Sequence, residues 1–156
     1  MSADDETLAV YAAEVARYAE VTAGAGGDRT LLDFMGGLPS GAHVLDLGCG
    51  PGHAAAAMVA VGITVDAVDA SPEMVAEAQT RHGLTARVAR FDEIEAVAAY
   101  DGVWASFSLL HAPKAEMPGH LARLHRALKP RGRIAIGLKT GAGEKRNRLG
   151  RFYAYY

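Results

Sequence analysis

The stretch HVLDLGCGPGH, residues 43 to 53, decides the fold of this chain. It begins as an apolar run and ends in a loop that holds three glycines, a proline and a cysteine. Glycine loses more conformational freedom on folding than any other residue, so such a loop is costly to order. We therefore expect a ligand to lie so close to this backbone that side chains would be in its way.

The rest of the chain alternates between strand-like and helix-like segments. This alternation indicates βαβ units, and hence an α/β fold with a doubly wound parallel sheet that carries helices on both faces. The predicted strands are AHVLDL at 42–47, ITVDAVD at 63–69, TARVARF at 85–91, DGVWASFSLL at 101–110 and RIAIGLK at 133–139.

Helices are predicted from apolar spacing and from capping residues. An amphipathic stripe at the N-terminus predicts one helix, and a later leucine stripe predicts another that ends at Lys129-Pro130. The two stripes are Leu8, Tyr11, Val15 and Tyr18, and Leu121, Leu124 and Leu128. Asp28 and Ser71 are predicted N-caps of two further helices, and Gly83 is predicted to end the second of these.

Composition excludes several classes of protein. The chain has 156 residues, enough for one domain with a core, and its net charge of −2 gives no general basic field for nucleic acid or anionic membrane. The single cysteine, Cys49, rules out an internal disulfide and suits a reducing cytoplasm. The start MSADDETLAV is acidic, unlike a secretory signal peptide, and no stretch is typical of a membrane span.

The glycine loop and a later acid together predict a nucleoside-containing ligand. Ligands of open parallel sheets bind beyond the carboxyl ends of the strands, which is where the glycine loop is expected. Asp69 ends the next predicted strand, 21 residues after Gly48, and can accept hydrogen bonds from both hydroxyls of a ribose. The alternative is a tight turn in which Asp69 only caps a helix.

Two kinds of cofactor remain open at this point. Gly50, Gly52 and Ala55 fit a dinucleotide fingerprint, which would make the chain an NAD-dependent oxidoreductase. Asp46, two residues before Gly48, argues against this, because a carboxylate suits a cationic ligand group better than a pyrophosphate. A methionine amino group is such a cation.

Several segments, in the right order, resemble those of class I S-adenosylmethionine-dependent methyltransferases, most closely the bacterial small-molecule type. Together they cover residues 43–139. The resembling segments are VLDLGCGPG, VDAVDASPEMVAEA, ARFDEIE, YDGVWASFSLLHAP and LHRALKPRGRIAIGLK. The resemblance implies a Rossmann-like sheet of order 3-2-1-4-5, S-adenosyl-L-methionine as cofactor, and methyl transfer to a small molecule.

The resemblance also implies roles for individual residues. Near the methionine end of the cofactor it places Asp46, the three loop glycines Gly48, Gly50 and Gly52, and Ser106. At the adenosine end it assigns the ribose to Asp69, one side of the adenine to Ala70 and Met74, and the ring and amine of the adenine to Phe91 and Asp92. Plain core packing is an equal alternative for Met74 and Phe91.

Two further features concern the acceptor side of the reaction. His111 follows the fourth strand and is the candidate general base, against the alternative of a histidine that only caps the turn before Pro113. Tyr11 and Tyr18 could line a lid over the cofactor, or simply pack on the sheet. The remaining histidines show no metal-ligand spacing, so we expect no metal site.

The last segment supports a rival function. Its basic and aromatic residues, 139–156, could bind phosphates and stack bases, which would make the chain an RNA methyltransferase or an RNA-binding module.

We interpret the chain as one domain, with a helical lid at 1–40, a cofactor-binding core at 41–139 and the basic and aromatic segment at 140–156. No strand is predicted after Lys139. The resembled fold has two more strands, so we expect either a truncated methyltransferase or one whose sheet edge is completed by a second copy or by its own folded-back tail.

Overall fold

A computed structural model describes residues 4–156 of the protein, apart from the side chain of Ala25. The helices are α1 (Asp5–Ala13), α2 (Val15–Val21), α3 (Arg29–Gly36), α4 (His53–Ala60), α5 (Pro72–His82) and α6 (Met117–Ala127). The strands are β1 (His43–Leu47), β2 (Thr64–Asp69), β3 (Ala86–Val88), β4 (Tyr100–Ser106), β5 (Leu128–Gly137), β6 (Glu144–Arg146) and β7 (Phe152–Ala154). Short 3₁₀ turns lie at Ala23–Gly27, Phe91–Glu93, Leu109–His111 and Lys114–Glu116. The first three residues of the predicted lid lie outside this description.

Five parallel strands form the main sheet in the order β3-β2-β1-β4-β5. The predicted α/β, Rossmann-like fold and its strand order are therefore confirmed. Both faces of the sheet are buried: Leu45 and Leu47 pack on the side covered by α6, whereas Val44 packs with Met58 of α4 on the other. This arrangement explains why the central strands are apolar almost throughout.

Capping residues fix the helix that follows β2. The Ser71 hydroxyl accepts a hydrogen bond from the backbone N–H of Met74, and Pro72 occupies the first turn. Gly83 ends the helix with φ of 65°, a left-handed conformation that glycine adopts without a steric penalty. Asp28 likewise caps α3 by accepting from Thr30 and Leu31. All three caps match the sequence prediction.

Two helix predictions are wrong in detail. The N-terminal stripe is not one helix, because the chain bends at Glu14 between α1 and α2. Each half has its own tertiary anchor, since Thr7 of α1 bonds to Phe152 and Ala19 of α2 bonds to His53. The leucine stripe predicts Leu128 in the last helix, but Leu128 is extended, begins β5 and pairs with Tyr100 of β4. The helix ends there because the following Lys129-Pro130 cannot continue it.

The prediction of no strand after Lys139 is also wrong. Strands β6 and β7 form an antiparallel hairpin, which we call the C-terminal hairpin. Its two strands, EKR and FYA, are too short to show apolar alternation. Cations lie over aromatic rings in this segment, with Lys139 over Tyr153 and Lys145 over Tyr155. The chain then folds back, so that the Tyr156 N–H donates to the carbonyl of Lys139, just beyond β5. Among the described strands, β5 pairs only with β4.

The helices are short. None that lies within residues 4–156 is long and apolar enough to cross a membrane.

Candidate active site

The carboxyl ends of β1, β2 and β4 meet at one edge of the sheet, where helices α1 and α2 lie over them. The space between them is a cavity of about 70 Å³, which we call the main cavity. It is lined by Asp4, Thr7, Leu8, Tyr11, Tyr18, Gly48, Gly50, Asp69, Ala70, Met74, Phe91, Ser106, Phe107, Ser108 and His111.

The three loop glycines all have positive φ, of 75°, 54° and 87° for Gly48, Gly50 and Gly52. What a side chain would meet differs among them. A Cβ at Gly48 would lie 2.4 Å from the Cβ of Ser108, and one at Gly52 would lie 2.6 Å from Cδ1 of Leu84. At Gly50 the nearest atom is a ring carbon of Tyr18, 3.6 Å away. Protein packing thus leaves no room for a side chain at Gly48 or Gly52, whereas a Cβ at Gly50 would make only an ordinary contact with Tyr18.

Asp69 holds the glycine loop to the start of α5. One carboxylate oxygen accepts the N–H of Gly50 at 2.8 Å, and the other accepts the N–H of Ser71 at 2.9 Å. Desolvation raises the pKa of Asp69, and these backbone bonds oppose the rise. Each oxygen keeps a further lone pair, so the carboxylate can still accept a hydrogen bond from a ligand in the main cavity.

Asp46 is a buried carboxylate with an unsatisfied oxygen. The residue is 2% exposed, and its Oδ2 has no hydrogen-bond partner among residues 4–156. Burial and the charge of Asp69 raise the pKa of Asp46 to about 7, against a lowering backbone bond from Ala55. An unpaired buried carboxylate is costly unless a cation or donor meets it. The site therefore suits a ligand with a cationic amine.

His111 is fixed by two hydrogen bonds. Its Nδ1 lies 2.7 Å from the carbonyl oxygen of Phe152, and its Nε2 lies 2.9 Å from the hydroxyl of Tyr11. A carbonyl can only accept, so Nδ1 carries the proton and Nε2 accepts from Tyr11. Burial lowers the pKa of His111 to about 4, which keeps the imidazole neutral near pH 7. The Nε2 lone pair of this neutral imidazole is engaged by the Tyr11 hydroxyl, so it can receive a proton from another group only when that hydroxyl is displaced.

Helix α1 is tied to the C-terminal hairpin at the rim of the main cavity. The Phe152 N–H donates to the hydroxyl of Thr7, and that hydroxyl donates to Asp4. Both outer nitrogens of Arg146 bond to the Asp4 carboxylate, at 2.6 and 2.8 Å, and hold the pKa of Asp4 well below its usual range. The two segments therefore close the cavity together.

Two further clefts lie beside the main cavity. The side cleft, about 230 Å³, adjoins the glycine loop and contains Asp46, Tyr18, Cys49 and His53. The outer cleft, about 150 Å³, runs along the ends of β4 and β5 past Thr30 and Gly137. Asp28, Trp104, Ser106 and Phe107 line both clefts.

Most of the residues singled out from the sequence come together here. Those on the main cavity are Tyr11, Gly48, Gly50, Asp69, Ala70, Met74, Phe91, Ser106 and His111, and Asp46 lines the side cleft. Two lie elsewhere. Gly52 packs beneath α5 at the start of α4, and Asp92 lines a separate depression with His120 and Arg123. Asp92 is thus not among the residues that line the main cavity.

Sequence reasoning missed several lining residues. Asp4, Thr7 and Leu8 reach the cavity only because α1 folds back over the sheet, and nothing local in the sequence reports such a contact. Phe107 and Ser108 follow β4 directly, in the place where ligands of parallel sheets bind. That position was a usable signal for both residues.

Comparison with known proteins settles the family. The profile of a family described as "Methyltransferase domain" matches residues 44–132, more than half of the chain. The chain belongs to the class I S-adenosylmethionine-dependent methyltransferases. This methyltransferase-family chain has the glycine loop, the β2 acid and the residues after β4 all within the matched range.

Two relatives show how varied this family is. The chain is 36% identical over 110 residues to the S-adenosyl-L-methionine-dependent Diels-Alderase iccD of Talaromyces variabilis, covering 64% of this chain and 37% of the relative. It is 35% identical over 105 residues to a ubiquinone biosynthesis O-methyltransferase of Xanthomonas oryzae, covering 62% and 43%. The chain therefore spans about two fifths of the length of these relatives.

A solved structure matches nearly the whole chain. The 1,6-didemethyltoxoflavin-N1-methyltransferase of Burkholderia thailandensis, with 1,6-didemethyltoxoflavin and S-adenosylhomocysteine bound, superposes with a TM-score of 0.67 at 26% identity. The match covers 99% of this chain and 74% of that one. These matches favour neither the oxidoreductase nor the RNA alternative.

Proposed function

We propose that this chain binds S-adenosyl-L-methionine in the main cavity and side cleft and that it transfers the methyl group to a small-molecule acceptor. The single observation that carries the proposal is the buried carboxylate of Asp46, whose Oδ2 has no hydrogen-bond partner among residues 4–156, next to Gly50 and Asp69. A ligand with an amine at one end and a ribose in the middle would satisfy both acids. When bound, the cofactor supplies a methyl group on a positively charged sulfur.

The methionine end would lie against Asp46 and Gly50. Asp46 attracts the ammonium group, and the bare backbone at Gly50 leaves room for the chain of the ligand. Ser106, which lines the main cavity and both clefts, is placed where the methyl donor and acceptor would meet.

The adenosine end would lie against Asp69. Its carboxylate would accept the ribose hydroxyls while it continues to hold the N–H groups of Gly50 and Ser71. Ala70, Met74 and Phe91 supply apolar surface for the adenine. The expected contact of Asp92 with the adenine amine has no support from the position of Asp92 beside His120.

His111 would act as the proton acceptor when the acceptor group must lose a proton. Its Nε2 lone pair faces the hydroxyl of Tyr11 on the wall of the main cavity. An acceptor hydroxyl or amine that displaced this hydroxyl would donate to Nε2 instead. The chain needs little more than this, because holding an acceptor in line with an activated methyl can itself supply about 7–11 kcal/mol.

The names of the relatives support a small-molecule acceptor. One is an O-methyltransferase of ubiquinone biosynthesis and another methylates at N1 of 1,6-didemethyltoxoflavin, so related chains act on oxygen and on nitrogen.

We also propose a cytoplasmic location, supported by the single, buried and unpaired Cys49. A homodimer through the edge of β5 is a further proposal, supported by its single neighbour strand, and light scattering on the purified chain would test it.

Calorimetry with the purified chain tests the function. We expect micromolar binding of S-adenosylmethionine and S-adenosylhomocysteine and no binding of NAD. Incubation with methyl-labelled S-adenosylmethionine and a metabolite extract should then label a small molecule. Tight binding of NAD without a response to S-adenosylmethionine would contradict the proposal.

A further inference from the structure

Phe107 combines two unfavourable features at one position. It follows β4 with φ of 51°, a left-handed conformation that costs a non-glycine residue about 1–2 kcal/mol. The residue is also 53% exposed, although a phenyl ring is stabilised by burial. Backbone strain of this kind clusters at ligand sites, where the surrounding structure maintains it.

The position of Phe107 at the junction of three cavities accounts for both the backbone strain and the exposure. It lines the main cavity, the side cleft and the outer cleft, a position shared with Ser106. Its N–H donates to the carbonyl of Gly137 at 3.0 Å, and a Cβ at Gly137 would lie 3.2 Å from two carbons of the phenyl ring. One side of the ring therefore lies against Gly137 at the end of β5, while the residue also lines the cavity and both clefts.

The clefts next to Phe107 are aromatic and acidic. Tyr18 and Trp104 supply two more rings to their walls, and Asp28 and Asp46 supply two carboxylates. Among residues 4–156, no lysine or arginine lines either cleft. The nearby basic residues are used in the C-terminal hairpin, where Arg146 pairs with Asp4 and Lys139 lies over Tyr153.

We propose that the methyl acceptor enters the outer cleft as a planar aromatic ring laid against Phe107, and that it is uncharged or cationic. The inference rests on the proposed function, since it names the class of acceptor for the same site. Stacking on a ring favours flat molecules over puckered ones. Asp46 is left to the ammonium group of the cofactor. Asp28 lines the outer cleft, where no lysine or arginine is among the described lining residues, and it disfavours a carboxylate or phosphate on the acceptor.

Matched probes separate shape from charge in a calorimetric titration of the full chain. The planar, neutral probe is 2-naphthol, and decahydro-2-naphthol is its saturated counterpart with the same skeleton. The planar ions are 2-naphthylmethylammonium and 2-naphthoate. We expect 2-naphthol to bind about 2- to 12-fold more tightly than its saturated counterpart, which corresponds to the 0.5–1.5 kcal/mol of an aromatic pair. The ammonium should bind at least as well as 2-naphthol, and the naphthoate more weakly than either.

Variants of Phe107 locate the effect. Phe107→Leu removes the ring and should abolish the preference for 2-naphthol over decahydro-2-naphthol, whereas Phe107→Tyr should keep it. Phe107→Asn also lacks the ring and tolerates the left-handed backbone, so it provides a folded variant if Phe107→Leu is unstable. An unchanged preference in both ring-less variants, or tighter binding of naphthoate than of naphthol, would overturn the proposal. Failure to bind S-adenosylhomocysteine contradicts the proposed function instead, because the ring titrations need no cofactor.

Discussion

Nδ1 of His111 lies 2.7 Å from the carbonyl oxygen of Phe152, which stands 41 residues further along the chain. This one bond fixes which imidazole nitrogen carries the proton. It leaves the lone pair of Nε2 on the side of Tyr11 and the main cavity. The C-terminal hairpin thus orients a candidate base that it does not itself contain.

Replacing His111 distinguishes a general base from a residue with only a structural role. His111→Ala should cut turnover by about 10²–10⁴-fold if Nε2 receives a proton, with cofactor affinity nearly unchanged. His111→Asn is the matched control, because its amide can still donate to Phe152 but offers no base near Tyr11. Steady-state kinetics and melting temperatures of the three proteins decide the role. If His111→Asn is as active as the wild type, His111 only braces the hairpin.

Two glycines with similar backbone angles should respond differently to substitution. Gly50→Ala adds a Cβ beside the main cavity and should weaken S-adenosylhomocysteine binding, with a strain cost of about 1–2 kcal/mol. Gly83→Ala adds similar strain in open space at the end of α5 and should leave the affinity unchanged. Calorimetry and urea unfolding measure both quantities. Equal affinities for the two variants would refute a ligand next to Gly50.

The raised pKa of Asp46 makes stability depend on pH. An unfolded aspartate has a pKa of about 3.9, whereas the folded protein holds this one near 7. The folded state therefore binds more protons between these values, and the contribution of Asp46 to stability falls as pH rises from about 4 to 7. Asp46→Asn should remove this part of the slope, as measured by urea unfolding of both proteins at pH 5 and pH 8.

The same titration should govern cofactor binding with the opposite sign. The ammonium group of S-adenosylhomocysteine is attracted only by the ionised carboxylate, so affinity should increase up to about pH 7 in the wild type. In Asp46→Asn the affinity should be lower and nearly independent of pH over this range. A parallel pH dependence in both proteins would mean that Asp46 does not meet the ligand.

Asp69 should contribute both to the conformation of the glycine loop and to the affinity for the ligand. Asp69→Ala removes the acceptor of Gly50 and Ser71 and should weaken S-adenosylmethionine and S-adenosylhomocysteine binding by about 1.5–3 kcal/mol, or roughly 10- to 150-fold. Asp69→Asn retains one carbonyl oxygen and is expected to fall between Asp69→Ala and the wild type. Affinities that match the wild type in both variants would count against a ribose contact.

The sheet and its ligand edge follow from local signals. The glycine loop, the β2 acid and the caps at Ser71 and Gly83 are short-range patterns, and each has a physical cause within a few residues. The contacts that complete the site are long-range. Thr7 meets Phe152 and Tyr11 meets His111 only in the folded chain, so no local pattern marks them. Strands β6 and β7 escaped prediction because each has only three residues and neither shows apolar alternation.

The hydrogen bond between Thr7 and Phe152 also sets an order of assembly. A ribosome releases Thr7 first, 145 residues before it releases Phe152. All five strands of the main sheet can emerge and pair in that interval, while helix α1 still lacks its hydrogen bond to Phe152. The growing chain would therefore form the sheet while the pocket is still open, and the cavity would be enclosed only once Phe152 is available.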